Sequence, residues 1–120
     1  MAHYVDGFVI PLPKRNIAAY RRMAAKAAKI WREYGALDYK ECVGDDLNNK
    51  MALPFPKGIR TKAGETVVFS WIRYKSKAHR NRVNVQIMKD PRIAAMCSEK
   101  DMPFDAKRML YGGFKVMVSS

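Results

Sequence analysis

At 120 residues, 48% hydrophobic and 28% charged, the chain has room for one packed domain and too much apolar content for a disordered segment. Twenty-three Lys and Arg against 11 acids leave a net charge of +12, which attracts polyanions but says nothing of fold. No apolar run approaches the roughly 20 residues that span a bilayer, so no membrane partner is expected.

In chain order, Met1 to Asp6 lacks a basic lead, and Pro11 and Pro13 cut short the apolar run Phe8-Val9-Ile10. No signal peptide is read, and a cytoplasmic location is expected. Residues 4–10 are rich in aromatic and β-branched side chains and predict a strand that the prolines end. Asn16 to Tyr34 then carries apolar residues at spacings of three and four, namely Ile17, Tyr20, Ala24, Ala27, Trp31 and Tyr34. That stripe predicts an amphipathic helix, closed by Gly35 as its C-cap glycine. Leu37 to Val43 alternates as a second strand, ended by the turn residues Gly44-Asp45-Asp46.

Residues 45–64 form an excursion far longer than a hairpin needs. It contains Met51 to Pro56, too apolar for a loose linker, and is read as an arm packed on a partner subunit, with a lid as the functional alternative. Glu65 to Tyr74 is the strongest strand pattern. Ser76 is placed to cap a second helix over residues 77–89, and Pro91 opens a short further helix through Met96. Met109 to Val118 reads as the last strand, with a bulge at Gly112-Gly113. The order is β-α-β-β-α-β, an α+β, ferredoxin-like sandwich: a four-stranded antiparallel sheet with two helices on one face. Residues 1–120 form one domain.

Helices cover only one face of such a sheet, so the other face is diagnostic. In the first strand, small Val5, Gly7 and Val9 suit close helix packing, which leaves Tyr4, Asp6 and Phe8 outward. In the third, Val68, Ser70 and Ile72 match the helix side, leaving Val67, Phe69, Trp71 and Arg73; Tyr39 and Glu41 join them from the second strand. An open apolar face of that size predicts that two sheets meet, giving a homodimeric α/β barrel that encloses a small-molecule cavity. The same aromatics could instead stack nucleic-acid bases, but Asp6 and Glu41 would repel a phosphate backbone.

Asp6 and Glu41, set among Phe8, Phe69 and Trp71, are the candidates for acid or base work, since burial raises a carboxyl pKa. The structural alternative pairs Asp6 with Arg73 or Arg108. Lys107 and Arg108 could hold an anionic ligand at the cavity mouth, or serve with an Asp105 cap as structure. Tyr111, beside the glycines, completes the candidate ligand-binding set. Cys42 and Cys97 match no zinc or redox spacing and do not combine with His3 and His79, so buried free thiols and no metal are expected. By parity Cys42 belongs to the helix side. No cofactor is implied.

Several blocks carry a resemblance: Tyr4-Val-Asp-Gly-Phe8, Trp31-Arg-Glu-Tyr-Gly-Ala-Leu37, Glu41-Cys-Val-Gly-Asp-Asp46, Val68-Phe-Ser-Trp-Ile-Arg-Tyr74 and Met102 to Phe114. They resemble the bacterial YbaA-like family, a domain of unknown function placed among dimeric α/β barrels, over nearly the whole chain. The resemblance implies the fold and no activity. The wider superfamily includes cofactor-independent monooxygenases, isomerases and haem enzymes, an analogy at fold level only. With no histidine on the barrel face, haem has no axial ligand there.

The function expected is small-molecule binding in a cavity on the sheet face. One alternative is a monooxygenase- or isomerase-like enzyme using Asp6 or Glu41 as base, with Arg73 or Arg108 stabilising an anion. Another is non-specific nucleic-acid binding through the basic first helix, by Arg21, Arg22, Lys26, Lys29 and Arg32.

Overall fold

In a computed structural model, which describes residues 2–98 and 102–120, the strands and long helices follow the expected order, with one unexpected short helix inside the 45–64 excursion. They are β1 (Tyr4–Pro13), α1 (Ile17–Glu33), β2 (Asp38–Val43), α2 (Phe55–Ile59), β3 (Glu65–Tyr74), α3 (Lys77–Lys89), α4 (Pro91–Met96) and β4 (Leu110–Lys115). The four strands form one sheet in the order β2-β3-β1-β4, every neighbouring pair antiparallel, which is the ferredoxin-like arrangement.

β1 does not stop at its prolines. It runs to Pro13 opposite Glu65 of β3, while its pairing with β4 ends at Val9 opposite Leu110. Pro11 and Pro13 therefore fall where β1 has become an edge strand, and an edge tolerates a residue with no N–H to donate. β4 pairs with β1 residue for residue from Leu110 to Lys115, so the glycine pair forms no bulge. Gly113 is instead a site of close approach, since the Tyr4 phenol lies where any side chain would stand.

The helices begin and end for local reasons. The Ser76 hydroxyl accepts the His79 N–H at 3.1 Å and Asp90 accepts the Arg92 N–H at 2.8 Å, each satisfying a first-turn donor. Gly35 follows α1 with φ of 108°, a left-handed conformation that glycine adopts without a Cβ penalty. Tyr20, Ala24, Ala27 and Ile30 of α1, Val83 and Ile87 of α3 and Ile93 of α4 are buried.

The register reverses the expected faces of β1 and β2. Asp6 pairs with Ile72, Phe8 with Ser70 and Ile10 with Val68, so the even-numbered residues of β1 face the helices. Tyr39, Glu41 and Val43 do so in β2, opposite Ile72, Ser70 and Val68. The physical reason lies in the extended strand: Ile10 and Leu12, both buried, continue the even-numbered set and carry it inward. Val5, Gly7 and Val9 share the open face with Phe69, Trp71 and Arg73 of β3 and with Leu110, Gly112 and Phe114 of β4. Cys42, opposite Phe69, is exposed on that face rather than packed under the helices, and Cys97 is exposed too.

Part of the 45–64 excursion packs on the chain's own sheet. The Phe55 ring of α2 meets Phe69 edge-on at 6.1 Å, and Val67 and Pro11, of open-face parity, are buried. The remaining open face exposes Phe69, Leu110 and Phe114. On the helix side the core falls into two clusters, one around Ile72, Tyr74 and Val83, the other around Ile10, Leu12 and Val68.

Candidate functional site

Between those clusters lies a pocket of about 500 Å³, walled by the sheet below and by α1 and α4 above. It exists because α1 presents Ala24 and Ala27 to the sheet, where bulkier side chains would fill the space. Phe8, Trp31, Tyr39 and Phe104 supply aromatic faces, and Met23, Met96, Met102 and Met109 supply flexible apolar surface. Among the described residues that line it, Glu41 is the only charged one.

Glu41 is fixed there by hydroxyls. The Tyr20 hydroxyl of α1 donates to Oε1 at 2.7 Å, and the Tyr39 hydroxyl donates to Oε2 at 2.9 Å. The Ser70 hydroxyl, opposite Glu41 in the register, also favours the charged carboxylate. Burial raises the Glu41 carboxyl above its ordinary value, and the hydroxyl bonds offset that only in part. Burial and the neighbouring carboxylate push both phenols far above the usual tyrosine range, so they stay protonated donors. Glu41, Tyr20 and Tyr39 also line an adjoining groove of about 290 Å³ between α1 and β2, which places the carboxylate between two apolar spaces.

Asp6 is on the same side of the sheet but belongs to a different cluster. It pairs with Arg80 of α3 at 2.9 Å, not with Arg73 or Arg108; Asp6 is buried and Arg80 half-buried. Arg80 also donates to the Tyr111 hydroxyl at 2.8 Å and lies 4.9 Å from the centre of the Tyr4 ring. Burial raises Asp6, while Arg80, Tyr111 and Asn84 counter it. With its charge met by Arg80, which also holds Tyr111, Asp6 reads as an internal tie between α3, β1 and β4.

The remaining sequence candidates are dispersed. Phe69 and Trp71 lie 5.8 Å apart with tilted rings on the open face, where Arg73 meets His3 at 3.0 Å. His3 therefore stands beside the open face, where the strand pattern predicts no histidine. Arg108 holds Glu65 through two hydrogen bonds of 2.7 and 2.9 Å and lowers that carboxyl to about 2. Asp105 accepts the Lys107 N–H at 3.0 Å, and the Lys107 side chain is exposed. Arg21, Arg22, Lys26, Lys29 and Arg32 lie exposed along α1 with no exposed aromatic ring of that helix to stack a base. Among the described residues, no cluster of His, Cys, Asp and Glu is placed to hold a metal ion.

Of the proposed site, then, the fold brings Phe8, Tyr39 and Glu41 to one pocket, and sets Tyr4, Asp6 and Tyr111 around Arg80. Sequence reasoning missed Tyr20, which its helical spacing marked only as core. Its hydroxyl was the signal, because a buried tyrosine oxygen needs a partner.

Residues 3–106 match a family described as "Protein of unknown function (DUF1428)". The chain is 44% identical over 115 residues to the uncharacterized protein YbaA of Escherichia coli K12, covering 96% of this chain and 97% of that one; YbaA of Shigella flexneri matches to the same extent. A solved structure of a dimeric ferredoxin-like protein from an uncultured marine organism superposes with a TM-score of 0.59 over the full length of both chains, at 11% identity. That likeness speaks for the fold.

Proposed function

The chain belongs to a family of proteins of unknown function, and from that premise we propose that it is a homodimeric protein that binds a small, largely apolar molecule between its helix layer and its sheet. The observation that carries this reading is the pocket of about 500 Å³, apolar on nearly every side, with one hydroxyl-anchored carboxylate. Natural ligand sites combine these features: an apolar lining, a few convergent polar groups and a titratable group shifted by burial.

Binding is favoured over catalysis by the fate of the candidate bases. Asp6 is tied to Arg80, and neither Arg73 nor Arg108 lines the pocket to steady an anion beside Glu41. Dimerisation is supported by the open face, where Phe69, Trp71, Leu110 and Phe114 form an apolar surface that a second sheet would cover. The structural relative is itself described as dimeric.

Native mass spectrometry of protein purified gently from its own host tests both parts. The expected result is a dimer whose mass exceeds twice the denatured chain by a releasable small molecule. Ala27→Leu, which grows a side chain into the pocket, should abolish the extra mass while preserving the dimer. Extra mass that survives Ala27→Leu, or a protein that emerges ligand-free and takes up none of a lipophilic metabolite extract, would overturn the pocket reading.

A further inference from the structure

Glu41 differs from the other buried or half-buried carboxylates among the described residues in what meets its charge. Asp6 has Arg80 at 2.9 Å, Asp90 has Arg92 at 2.8 Å and Glu65 has Arg108 at 2.7 Å. At Glu41 the partners are two neutral hydroxyls, from Tyr20 and Tyr39. A carboxylate taken out of water is ordinarily paired with a cation, because hydroxyl dipoles do not repay the lost hydration. Each oxygen carries one tyrosine bond and retains acceptor capacity, and Glu41 lines the same space as Trp31, Tyr39, Tyr20 and Phe104. Aromatic faces attract cations through their quadrupoles, Trp most strongly, and aromatic rings beside a carboxylate are the usual receptor for an ammonium group.

We infer that the pocket takes an organic cation, an amine or quaternary ammonium carried on an apolar body, with the charge seated at Glu41 and the body among the methionines. The inference rests on the pocket reading above and specifies its ligand class. The chain's net charge of +12 gives a cation no long-range attraction, so selectivity falls to this local arrangement. A neutral ligand of the same shape would leave the Glu41 charge unmet; an anion would face it directly.

The test compares N,N,N-trimethyl-2-phenylethylammonium with (3,3-dimethylbutyl)benzene, a neutral isostere in which carbon replaces nitrogen, and with 4-phenylbutyrate. The chain holds two tryptophans, so in a Trp71→Phe background the fluorescence of Trp31 reports from the pocket wall. The ammonium probe should bind at least tenfold more tightly than its isostere, phenylbutyrate should not compete, and Glu41→Gln should erase the tenfold preference while the isostere binds as before. Equal or tighter binding of the isostere, with no effect of Glu41→Gln, would overturn the cationic class and leave the pocket reading standing. If none of the three probes perturbs Trp31, both fall together. The comparison of probes on the protein with native Glu41 decides the matter even if the Glu41 variant folds poorly.

Discussion

Glu41 shows how one residue can weaken a fold at the place where it builds a site. Burial raises its carboxyl, so the folded chain holds that proton more tightly than the unfolded chain does. Between the ordinary value of 4.5 and the raised one, the folded state binds more protons, and stability therefore falls as pH rises through that window. Glu41→Gln removes the ionisation and with it the loss. Its melting temperature should exceed that of the unmodified chain at pH 7, and the gain should vanish below pH 4.5, as followed by circular dichroism in buffers of matched ionic strength. A variant less stable than the parent at pH 7 would mean that the carboxylate is already compensated when the pocket is empty. Glu65 shows the opposite sign. Arg108 lowers it to about 2, so its stabilisation is present above its ordinary 4.5 and disappears as pH falls toward 2.

At the scale of elements, α3 is attached to the sheet by charge as well as by Val83 and Ile87. Arg80 reaches from the first turns of α3 to Asp6 of β1 and Tyr111 of β4, so one guanidinium ties a helix to two strands. Removing it leaves a buried carboxylate with no cation, a change that costs about 3–5 kcal/mol in comparable sites. Urea unfolding of Arg80→Ala should show a loss of that order, and adding Asp6→Asn should recover part of it. Absence of recovery would assign the loss to the contact of the Arg80 guanidinium with the Tyr4 ring instead. The arrangement also explains why the expected pairing of Asp6 with Arg73 fails. Alternation puts Arg73, opposite Val5, on the open face, and α3 delivers a different arginine to the inner one.

For the whole molecule, the open sheet face matters because it leaves Phe69, Leu110 and Phe114 exposed. Phe114, 62% exposed, projects from the edge strand β4 with its ring over Gly7 and Gly112. Phe114→Glu places a charge where the second sheet should lie. Because the side chain is solvated in the single chain, folding should change by less than about 0.5 kcal/mol, whereas light scattering after size exclusion should report a monomer. A dimer that persists in this variant would move the interface elsewhere, with the exposed flank of α1 the next surface to examine. The 45–64 excursion bears on the same interface. By laying Phe55 on Phe69 it shields one end of the face and confines the apolar area to the β1–β4 side.

The sequence by itself determined the order of the strands and long helices, the cap at Ser76, the αL glycine at Gly35 and the ferredoxin-like plan, because period, breakers and capping residues act over a few neighbours. It also contained the chemistry of the site, Glu41 and Tyr39, without its location. Only the tertiary structure decided which face of β1 and β2 turns inward: alternation divides a strand into two sets but is symmetric about them, and the deciding Leu12 lay beyond a proline that looked like an end. The partner of Asp6 and the pocket beside Glu41 were likewise settled in three dimensions. A charge pair depends on which arginine a helix delivers, and a cavity is the volume that Ala24 and Ala27 leave unfilled once α1 is set on the sheet.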